Sequence, residues 1–303
     1  MSNSQLPFAP RATASEVLAG VDLHGKRVVV TGGAGGLGLE TCRVLLDAGA
    51  QVTAAVRQPR SVPVTGLEQV QLDLADLSSV RQFTTSWTGP LDVLVANAGV
   101  MAIPTRELSR EGWELQLATN FLGHFALARG LHRALAAAQR ARVVVVSSGA
   151  HRSAPFNLDD PHFEHRPYDR WEAYGQSKSA GILGVTAMAT NWANDGIAAN
   201  AVNPGYIHTG LQRHVDDATM HEMGAMDASG NLVSPSHFKT LAQGASNAVL
   251  LAGSPLVLGI TGRYFEDNQP ADVIADGDRG VAPHAIDPVL AEQLWTLAED
   301  AVG

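Results

Sequence analysis

A tyrosine and a lysine lie four residues apart in this chain, at Tyr174 and Lys178. The surrounding segment, 171–194, has a helical pattern, and residues at i and i+4 of a helix lie one above the other on the same face. A free phenol has a pKa of about 10 and is a weak base at neutral pH. A cation held close stabilises the phenolate and lowers its pKa, so this pair could transfer protons at neutral pH. The same spacing also occurs on exposed helices without any catalytic role.

A glycine-rich turn runs from Thr31 to Gly38, between the first short apolar segment and the first helical one. Glycines allow the backbone to turn tightly and to approach a pyrophosphate, whose charge is stabilised at a helix N-terminus. A plain tight turn is the alternative. We predict a dinucleotide site here, with cofactor contacts from Gly32, Gly36, Leu37 and Gly38.

The end of the second predicted strand indicates which dinucleotide binds. Sites for NAD usually have an acidic residue at this point, which binds the ribose 2′-hydroxyl. This chain has Val56 there, followed by Arg57, with Arg60 nearby. A guanidinium suits a 2′-phosphate through paired, charge-assisted hydrogen bonds. We therefore predict NADP(H) as the cofactor and Arg57 as the residue that selects it; the alternative is that Arg57 is a solvated charge at a strand end.

Two further strand ends supply candidate cofactor contacts. Asp73 and Leu74 follow the third predicted strand, and Asn97, Ala98 and Gly99 follow the fourth. Ligands of parallel sheets bind at these carboxyl ends. Asp73 could accept a hydrogen bond from the adenine amino group, or it could cap the next helix. The small residues after the fourth strand would let the backbone pass beneath a bound ribose.

The elements that must position these residues alternate along the chain. The segments that read as strands are nearly all apolar, as in parallel strands buried on both faces. Strand–helix alternation predicts an α/β fold, a doubly wound Rossmann-type parallel sheet with helices on both faces. The crossover at 57–68 contains two prolines and a glycine, so we expect its helix to be short or missing. The predicted strands are 27–30, 51–56, 70–72, 91–96, 142–146 and 198–202, and the predicted helices are 37–48, 77–87, 110–138 and 171–194.

Length and composition limit the remaining possibilities. The 303 residues suit one large domain, which we place at 21–303 after a loose N-terminal extension at 1–20. Two variable inserts interrupt it, at about 149–171 and 206–240, and we predict that the second is a substrate lid. The formal net charge of −9 and the absence of a Lys/Arg run argue against nucleic-acid and membrane partners. A single cysteine, Cys42, and no apolar leader or membrane-length run favour a cytoplasmic protein.

Taken together, these motifs resemble the short-chain dehydrogenase/reductase family over about 25–265. The segment from Thr119 to Phe125 is similar to the retinol-dehydrogenase-like branch in particular, and the segment from Thr261 to Phe265 points the same way. One departure is Ala96, where the family more often has Asn, and we expect it to change local packing only. The matching motifs are Thr31 to Gly38, Ala96-Asn97-Ala98-Gly99, Asn120, Ser147-Ser148, Tyr174-x-x-x-Lys178 and Asn203-Pro204-Gly205 with Thr209.

The resemblance implies a role for each catalytic candidate. Tyr174 would be the acid that protonates a carbonyl oxygen, or the base that deprotonates an alcohol. Lys178 would lower the Tyr174 pKa and hold the nicotinamide ribose, and Ser148 would stabilise charge on the substrate oxygen. We choose Ser148 over Ser147 because the family's catalytic serine is usually the second of such a pair. Asn120 would support a water that links Lys178 to solvent.

The resemblance also assigns the last cofactor contacts and the reaction class. Pro204, Gly205 and Thr209 would contact the cofactor, Thr209 at the nicotinamide amide. Aromatic residues of the first insert, Phe156, Phe163, Tyr168 and Trp171, could wall a bulky substrate. We predict an oxidoreductase acting on a small-molecule carbonyl or alcohol, with no metal site; a homo-oligomer is left open. The alternatives are a non-catalytic NADP-sensing regulatory protein on the same fold and a reductase of a C=C or C=N bond.

Overall fold

The computed structural model describes residues 5–303, and one eight-stranded sheet runs through that range. Its strand order is β3-β2-β1-β4-β5-β6-β7-β8, with parallel pairing throughout except for β7 and β8, which are antiparallel. The predicted α/β doubly wound fold is confirmed. The strands are β1 Arg27–Thr31, β2 Gln51–Val56, β3 Glu68–Gln71, β4 Val93–Ala96, β5 Ala141–Val146, β6 Ile197–Val202, β7 Arg263–Glu266 and β8 Gln269–Pro270.

The position of β1 in the sheet determines where a ligand can bind. β1 lies between β2 and β4, with Val28 paired to both Val52 and Val93. The strand order therefore reverses beside β1, and the loops after β1 and β4 leave the sheet in opposite directions. The crevice between such loops is the usual ligand site of doubly wound sheets. The predicted cofactor-binding loops all follow the carboxyl ends of strands, at this same end of the sheet.

Helices cover both faces of the sheet. Several begin at side-chain caps that satisfy free backbone N–H groups, such as Asp76 before α3 and Asp169 before α7. The helices are α1 Ala14–Val17, α2 Gly36–Asp47, α3 Leu77–Ser86, α4 Leu115–Leu117, α5 Gly123–Gly130, α6 His132–Ala137, α7 Arg170–Asn191, α8 Asp217–Glu222, α9 Leu241–Gly244, α10 Ser246–Gly253 and α11 Pro288–Val302.

Each face of the sheet has its own apolar core. One core packs α3, α5, α7 and α11 against the sheet through fully buried side chains such as Leu94, Phe125 and Leu183. The other packs α1, α2 and α10 on the opposite face, around Val30 and Leu250. Because α7 is one of these core helices, its residues 173–185 are all buried, and the tyrosine and lysine it carries are held rigidly.

The prediction of a loose N-terminal extension is wrong for residues 13–18. Ala14, Val17 and Leu18 are buried against the second core, and Thr13 caps α1 through a reciprocal hydrogen-bond pair with Glu16. Leu18 also lies close to α10, since a Cβ on Gly253 would be 2.5 Å from its side chain. The division into an extension and a domain at 21–303 stays a prediction.

Other local expectations have mixed outcomes. No helix forms between Val56 and Glu68, a stretch that the structure describes in full, so the expected short or missing crossover helix is confirmed. The single helix predicted at 110–138 is wrong: it is broken into α4, a π-helical turn at Ala118–Leu122, α5 and α6. The strands β7 and β8 and the helices α1, α8, α9, α10 and α11 were not predicted. Across residues 5–303, every helix is too short or too polar to cross a membrane.

Candidate active site

The glycine-rich turn forms a cradle at the N-terminus of α2. Gly32 and Gly36 have φ values of +68° and +52°, which favour glycine. A Cβ on Gly38 would lie 2.4 Å from the Gly32 carbonyl oxygen, so only glycine permits this approach. Gly35 caps α2 and has no side chain to bond the first N–H groups. These N–H groups and the helix dipole make the turn suitable for a phosphate.

The loop after β4 is bonded directly to the end of β1. The Thr31 hydroxyl accepts hydrogen bonds from the backbone N–H groups of Asn97 and Ala98, both at 2.9 Å. The Asn97 amide donates to the Thr31 carbonyl at 2.8 Å. A Cβ on Gly99 would lie 3.1 Å from Asn120 Oδ1 and 3.7 Å from Lys178 Nζ. The three residues predicted as cofactor contacts therefore join the glycine turn to the catalytic candidates.

Tyr174 lies near the start of α7, buried beside Ser148. The Ser148 hydroxyl is within hydrogen-bonding reach of the phenol. Burial raises the pKa of Tyr174 to about 12, and the bond from Ser148 opposes that rise. Tyr174 is therefore protonated at neutral pH, the form needed for a general acid.

Lys178 lies one turn beyond Tyr174 and is also buried. Its ammonium donates to the Val146 carbonyl at 2.9 Å and is 5.7 Å from the centroid of the Tyr174 ring. Burial lowers the pKa of Lys178 to about 8. The prediction that Lys178 lowers the Tyr174 pKa stays a prediction: burial is the larger effect in this structure, and the ammonium donates to the Val146 carbonyl.

Asn120 lies in the π-helical turn between α4 and α5 and is buried. Its side chain bonds both backbone groups of Val100, each at 2.9 Å, and donates to the Ser177 hydroxyl at 2.9 Å. The backbone carbonyl oxygen of Asn120 lies 3.1 Å from Nδ1 of His124. The Asn120 side chain therefore ties the loop after β4 to α7.

The two arginines beside the turn differ in their contacts. Arg60 donates twice to the Ala34 carbonyl, from Nε at 3.1 Å and Nη2 at 2.6 Å. Arg57 is exposed at the end of β2 and makes no hydrogen bond within the described range. Arg213, from the segment after β6, lies near enough for the Arg57 charge to help lower its pKa, after burial. Arg60 is therefore bound to the turn, and Arg57 has a second guanidinium, that of Arg213, as a neighbour.

The residues after β3 make contacts within the protein. Asp73 accepts a hydrogen bond from the Ala75 N–H at 2.9 Å, and Asp76, not Asp73, caps α3. The Leu74 carbonyl faces the helix that carries Asn120, since a Cβ on Gly123 would lie 2.1 Å from its oxygen. Gly123 thus allows α5 to approach the end of β3.

The loop after β6 returns to the glycine turn. Gly205 has a φ of +86°, and its N–H is bonded by Asn203 Oδ1 at 3.0 Å. Thr209 caps a 3₁₀ turn at 210–214 and lies against the cradle, because a Cβ on Gly36 would be 3.6 Å from Thr209. Pro204, Gly205 and Thr209 therefore lie at the same end of the sheet as the glycine turn.

The aromatic residues of the insert before α7 do not act together as a wall. Phe156 and Phe163 are 4% and 3% exposed and belong to the interior, so that expectation is wrong for both. Tyr168 bonds the Ile103 carbonyl, and Trp171 alone packs beside Tyr174. Within residues 5–303, no three His, Cys, Asp or Glu side chains gather as metal ligands.

The apolar surface beside Tyr174 comes from several loops. Leu211 and Val215 of the predicted lid pack on it together with Trp171. The sequence did not reveal this grouping because its members come from four separate segments. Met101 and Ala102 form a buried apolar cluster with Tyr174, and the residues packed against that cluster are Ala150, Trp171, Leu211 and Val215.

Two buried histidines were also missed. His151 directs Nδ1 at the Ser148 carbonyl, 2.7 Å away, and accepts the Ala282 N–H at Nε2 at 3.1 Å, which fixes the Ser148 loop. His124 lies beside Asn120, and the sequence used it only as part of a family motif. Its position four residues after Asn120 was the available signal, because i and i+4 residues contact each other on a helix.

Comparisons with known proteins agree with this geometry. A family model described as short chain dehydrogenase matches residues 26–219. A "probable oxidoreductase" of Streptomyces lividans is 57% identical over 295 residues, which cover 93% of this chain and 99% of that protein. Retinol dehydrogenase 14 of Homo sapiens is 33% identical over 308 residues, covering 93% and 87%.

Solved structures are similar over most of the chain. An uncharacterised protein from Mycobacterium paratuberculosis has a TM-score of 0.74 and 32% identity, covering 94% of this chain and 96% of that one. A candidate NAD(P)-dependent gluconate 5-dehydrogenase from Beutenbergia cavernae, with bound NADP at low occupancy, has a TM-score of 0.62 and 27% identity, covering 82% and 96%. The resemblance predicted from the motifs is confirmed.

Proposed function

We propose that this chain, which belongs to the short-chain dehydrogenase/reductase family and is an NAD(P)-dependent oxidoreductase, uses NADP(H) to interconvert a carbonyl and a secondary alcohol. The observation that carries this proposal is the hydroxyl pair of the buried Tyr174 and the partly buried Ser148, with the Lys178 ammonium one helical turn away. A bound nicotinamide supplies or accepts the hydride.

The chain's own residues manage the proton and the substrate oxygen. Ser148 donates a hydrogen bond to the carbonyl oxygen and stabilises the charge that develops there. Tyr174, protonated at neutral pH, transfers its proton to the same oxygen during reduction and removes it during oxidation. The Lys178 ammonium stabilises the phenolate that remains, and its depressed pKa lets it exchange protons with solvent near neutral pH.

The cradle at the start of α2 supports the dinucleotide. Its free N–H groups would hold the pyrophosphate, and the Arg60 guanidinium lies over the turn, with Nη2 2.4 Å from where a Cβ on Gly35 would be. Asn97, Ala98 and Gly99 would lie beneath the ribose, with Asp73 and Leu74 at the adenine and Pro204, Gly205 and Thr209 beside the nicotinamide. We assign these contacts as proposals.

The preference for the 2′-phosphate rests on charge. Arg57 and Arg213 lie close to each other, and their like charges repel. An anion bound between them would relieve this repulsion. Arg60 is already held at the turn by the Ala34 carbonyl. No acidic residue takes the place of Val56 to repel a phosphate.

The apolar surface around Tyr174 supports a substrate with an apolar flank. Met101, Trp171 and Leu211 belong to or pack against the apolar cluster that contains Tyr174, so a charged group beside the reacting carbonyl would lose its hydration there without compensation. Ketones and aldehydes with alkyl or aryl substituents therefore suit the site better than hydroxy acids or sugars. The segment 206–240 would close over them as a lid of the single domain at 21–303.

We also propose a cytoplasmic location. Cys42 is buried, and burial raises the pKa of its thiol to about 12, so it stays protonated and unreactive. Cell fractionation tests the location, and light scattering of purified protein tests the homo-oligomer that the sequence left open.

The experiment is an NADPH-consumption screen over apolar ketones, aldehydes and enones, repeated with Tyr174→Phe. The substitution deletes the proton donor but keeps the ring, so turnover falls by about 10² to 10⁴ while cofactor binding stays nearly intact. Fluorescence titration with NADPH measures that binding. Undiminished turnover in the variant would overturn the mechanism, and consumption only with enones would favour a C=C reductase.

A further inference from the structure

His124 is a buried histidine that the proposed chemistry does not use. It lies on α5, just after the π-helical turn, and is 5% exposed. Its Nδ1 is 3.1 Å from the backbone carbonyl oxygen of Asn120, and its Nε2 is 2.8 Å from the hydroxyl oxygen of Thr31. The ring therefore lies between a catalytic candidate and the end of the strand that leads into the glycine turn.

The bonds at Thr31 determine which ring nitrogen carries the proton. A hydroxyl has one hydrogen and two lone pairs. The N–H groups of Asn97 and Ala98 occupy both lone pairs, each at 2.9 Å, so the hydroxyl must donate its own hydrogen. The Val95 carbonyl is 3.4 Å away and His124 Nε2 is 2.8 Å away, so the ring is the better acceptor. Nε2 is therefore unprotonated, and Nδ1 carries the hydrogen that Asn120 accepts.

The side chain of Asn120 continues the hydrogen bonds into α7. Its amide Nδ2 donates to the Ser177 hydroxyl at 2.9 Å, and that hydroxyl donates to the backbone carbonyl of Tyr174 at 2.6 Å. All of these groups are buried. Such a buried network fixes geometry only when every member is satisfied.

We infer that His124 is a positioning residue: as a neutral Nδ1–H imidazole it bonds Thr31 to the Asn120 carbonyl, and so holds the nucleotide turn and the Tyr174 helix in one register. This inference rests on the proposed function for its effect on turnover. Its bonding pattern stands independently of that function.

Electrostatics agree with the neutral ring. Burial lowers the pKa of His124 to about 4, and the nearby Lys178 ammonium lowers it further, against the bond to Asn120, which raises it. An imidazolium would also place an N–H against a Thr31 hydroxyl whose lone pairs are both occupied. The same neutral tautomer is therefore expected over the whole pH range in which such an enzyme works.

Three substitutions separate the two bonds. His124→Phe keeps the ring and removes both bonds. His124→Asn can place an amide N–H near the Nδ1 position and keep the bond to Asn120, while His124→Gln can place an oxygen near Nε2 and keep the bond from Thr31. His132→Phe is the matched control, because His132 is a half-buried histidine on α6 that bonds Asp195 and packs on an aromatic ring away from the site.

The expected result is a split between kinetic constants. A shift of about 1 Å in catalytic groups can cost about a hundredfold in rate, so His124→Phe should lower kcat by about ten- to a hundredfold. The substrate KM and the NADPH dissociation constant should change less than kcat, because Thr31 keeps its hydrogen bonds from Asn97 and Ala98 in the variant. Asn and Gln should each recover part of kcat, and His132→Phe should keep all of it. A folded His124→Phe protein with wild-type kcat would overturn the inference.

Nitrogen NMR of ¹⁵N-histidine-labelled wild-type protein decides the bonding pattern without any turnover. The His124 signal, assigned by its loss in whichever of the three variants folds, should show a protonated Nδ1 and an unprotonated Nε2 at neutral pH. An Nε2–H tautomer or an imidazolium would overturn the inference. If no carbonyl is reduced by the wild type, the proposed function fails while the NMR result still tests His124.

Discussion

The choice between NADP(H) and NAD(H) depends on one corner of the glycine turn. Arg57 is exposed there with no carboxylate partner in residues 5–303, so its guanidinium is free to bind a 2′-phosphate. A hydrogen bond to a charged group contributes about 1.5–3 kcal/mol. At about 1.4 kcal/mol per tenfold, this corresponds to roughly ten- to a hundredfold in kcat/KM. Arg57→Ala should lower kcat/KM for NADPH by that factor and leave NADH use nearly unchanged, since NADH has no 2′-phosphate.

Arg60 offers a contrast within the same corner. Its guanidinium also bonds the Ala34 carbonyl, so Arg60→Ala should loosen the turn itself and weaken the use of both cofactors. The assay is the initial rate with each cofactor over a range of concentrations, together with fluorescence titration of binding. Arg140→Ala is the control, because this exposed arginine directly precedes β5 and so lies at the amino ends of the strands, away from the glycine turn. If Arg57→Ala keeps the wild-type ratio of kcat/KM for the two cofactors, Arg57 is only a surface charge and Arg60 becomes the candidate.

Two further predictions concern motion and acid stability. The segment 206–239 should exchange its amide hydrogens rapidly without ligands and become protected with cofactor and substrate bound, as measured by hydrogen exchange; full protection in the ligand-free protein would refute a closing lid. His124 and His151 both have a pKa that burial lowers to about 4, below the value of 6.5 for an unperturbed histidine. Between these values the unfolded chain binds more protons, so stability is fully present above pH 6.5 and falls as the pH decreases towards 4. Each ring should contribute a slope of at most about 1.4 kcal/mol per pH unit in urea-unfolding experiments, and a flat profile across this window would contradict the burial argument.

The sequence was sufficient for the fold class and for the order of the motifs. Apolar, β-branched segments alternating with helical ones indicate a parallel sheet, because strands buried on both faces have no polar side to show. The turn from Thr31 to Gly38 was equally clear, since glycine is required wherever the backbone adopts positive φ or another group approaches closely. The missing helix at 57–68 could be predicted from two prolines and a glycine.

The local sequence pattern was misleading where tertiary packing determines the secondary structure. The segment at 13–18 is short and reads as part of a loose end, but its apolar residues are buried against α10, far away in the sequence. The helix predicted at 110–138 breaks near Asn120, where a π-helical turn directs the backbone carbonyl to His124. The periodicity of a few residues could predict neither the burial of 13–18 nor the break near Asn120.

The roles within the site depend on partners that are distant along the chain. Thr31 and His124 are 93 residues apart, and Asn120 and Ser177 are 57 residues apart, yet each pair is hydrogen-bonded. The sequence therefore determined which residues are available for chemistry, because residue type and spacing are local properties. Only the tertiary structure decided that burial raises the Tyr174 pKa and that the Lys178 ammonium donates to Val146, since burial and hydrogen-bond partners arise only when separate strands and helices pack together.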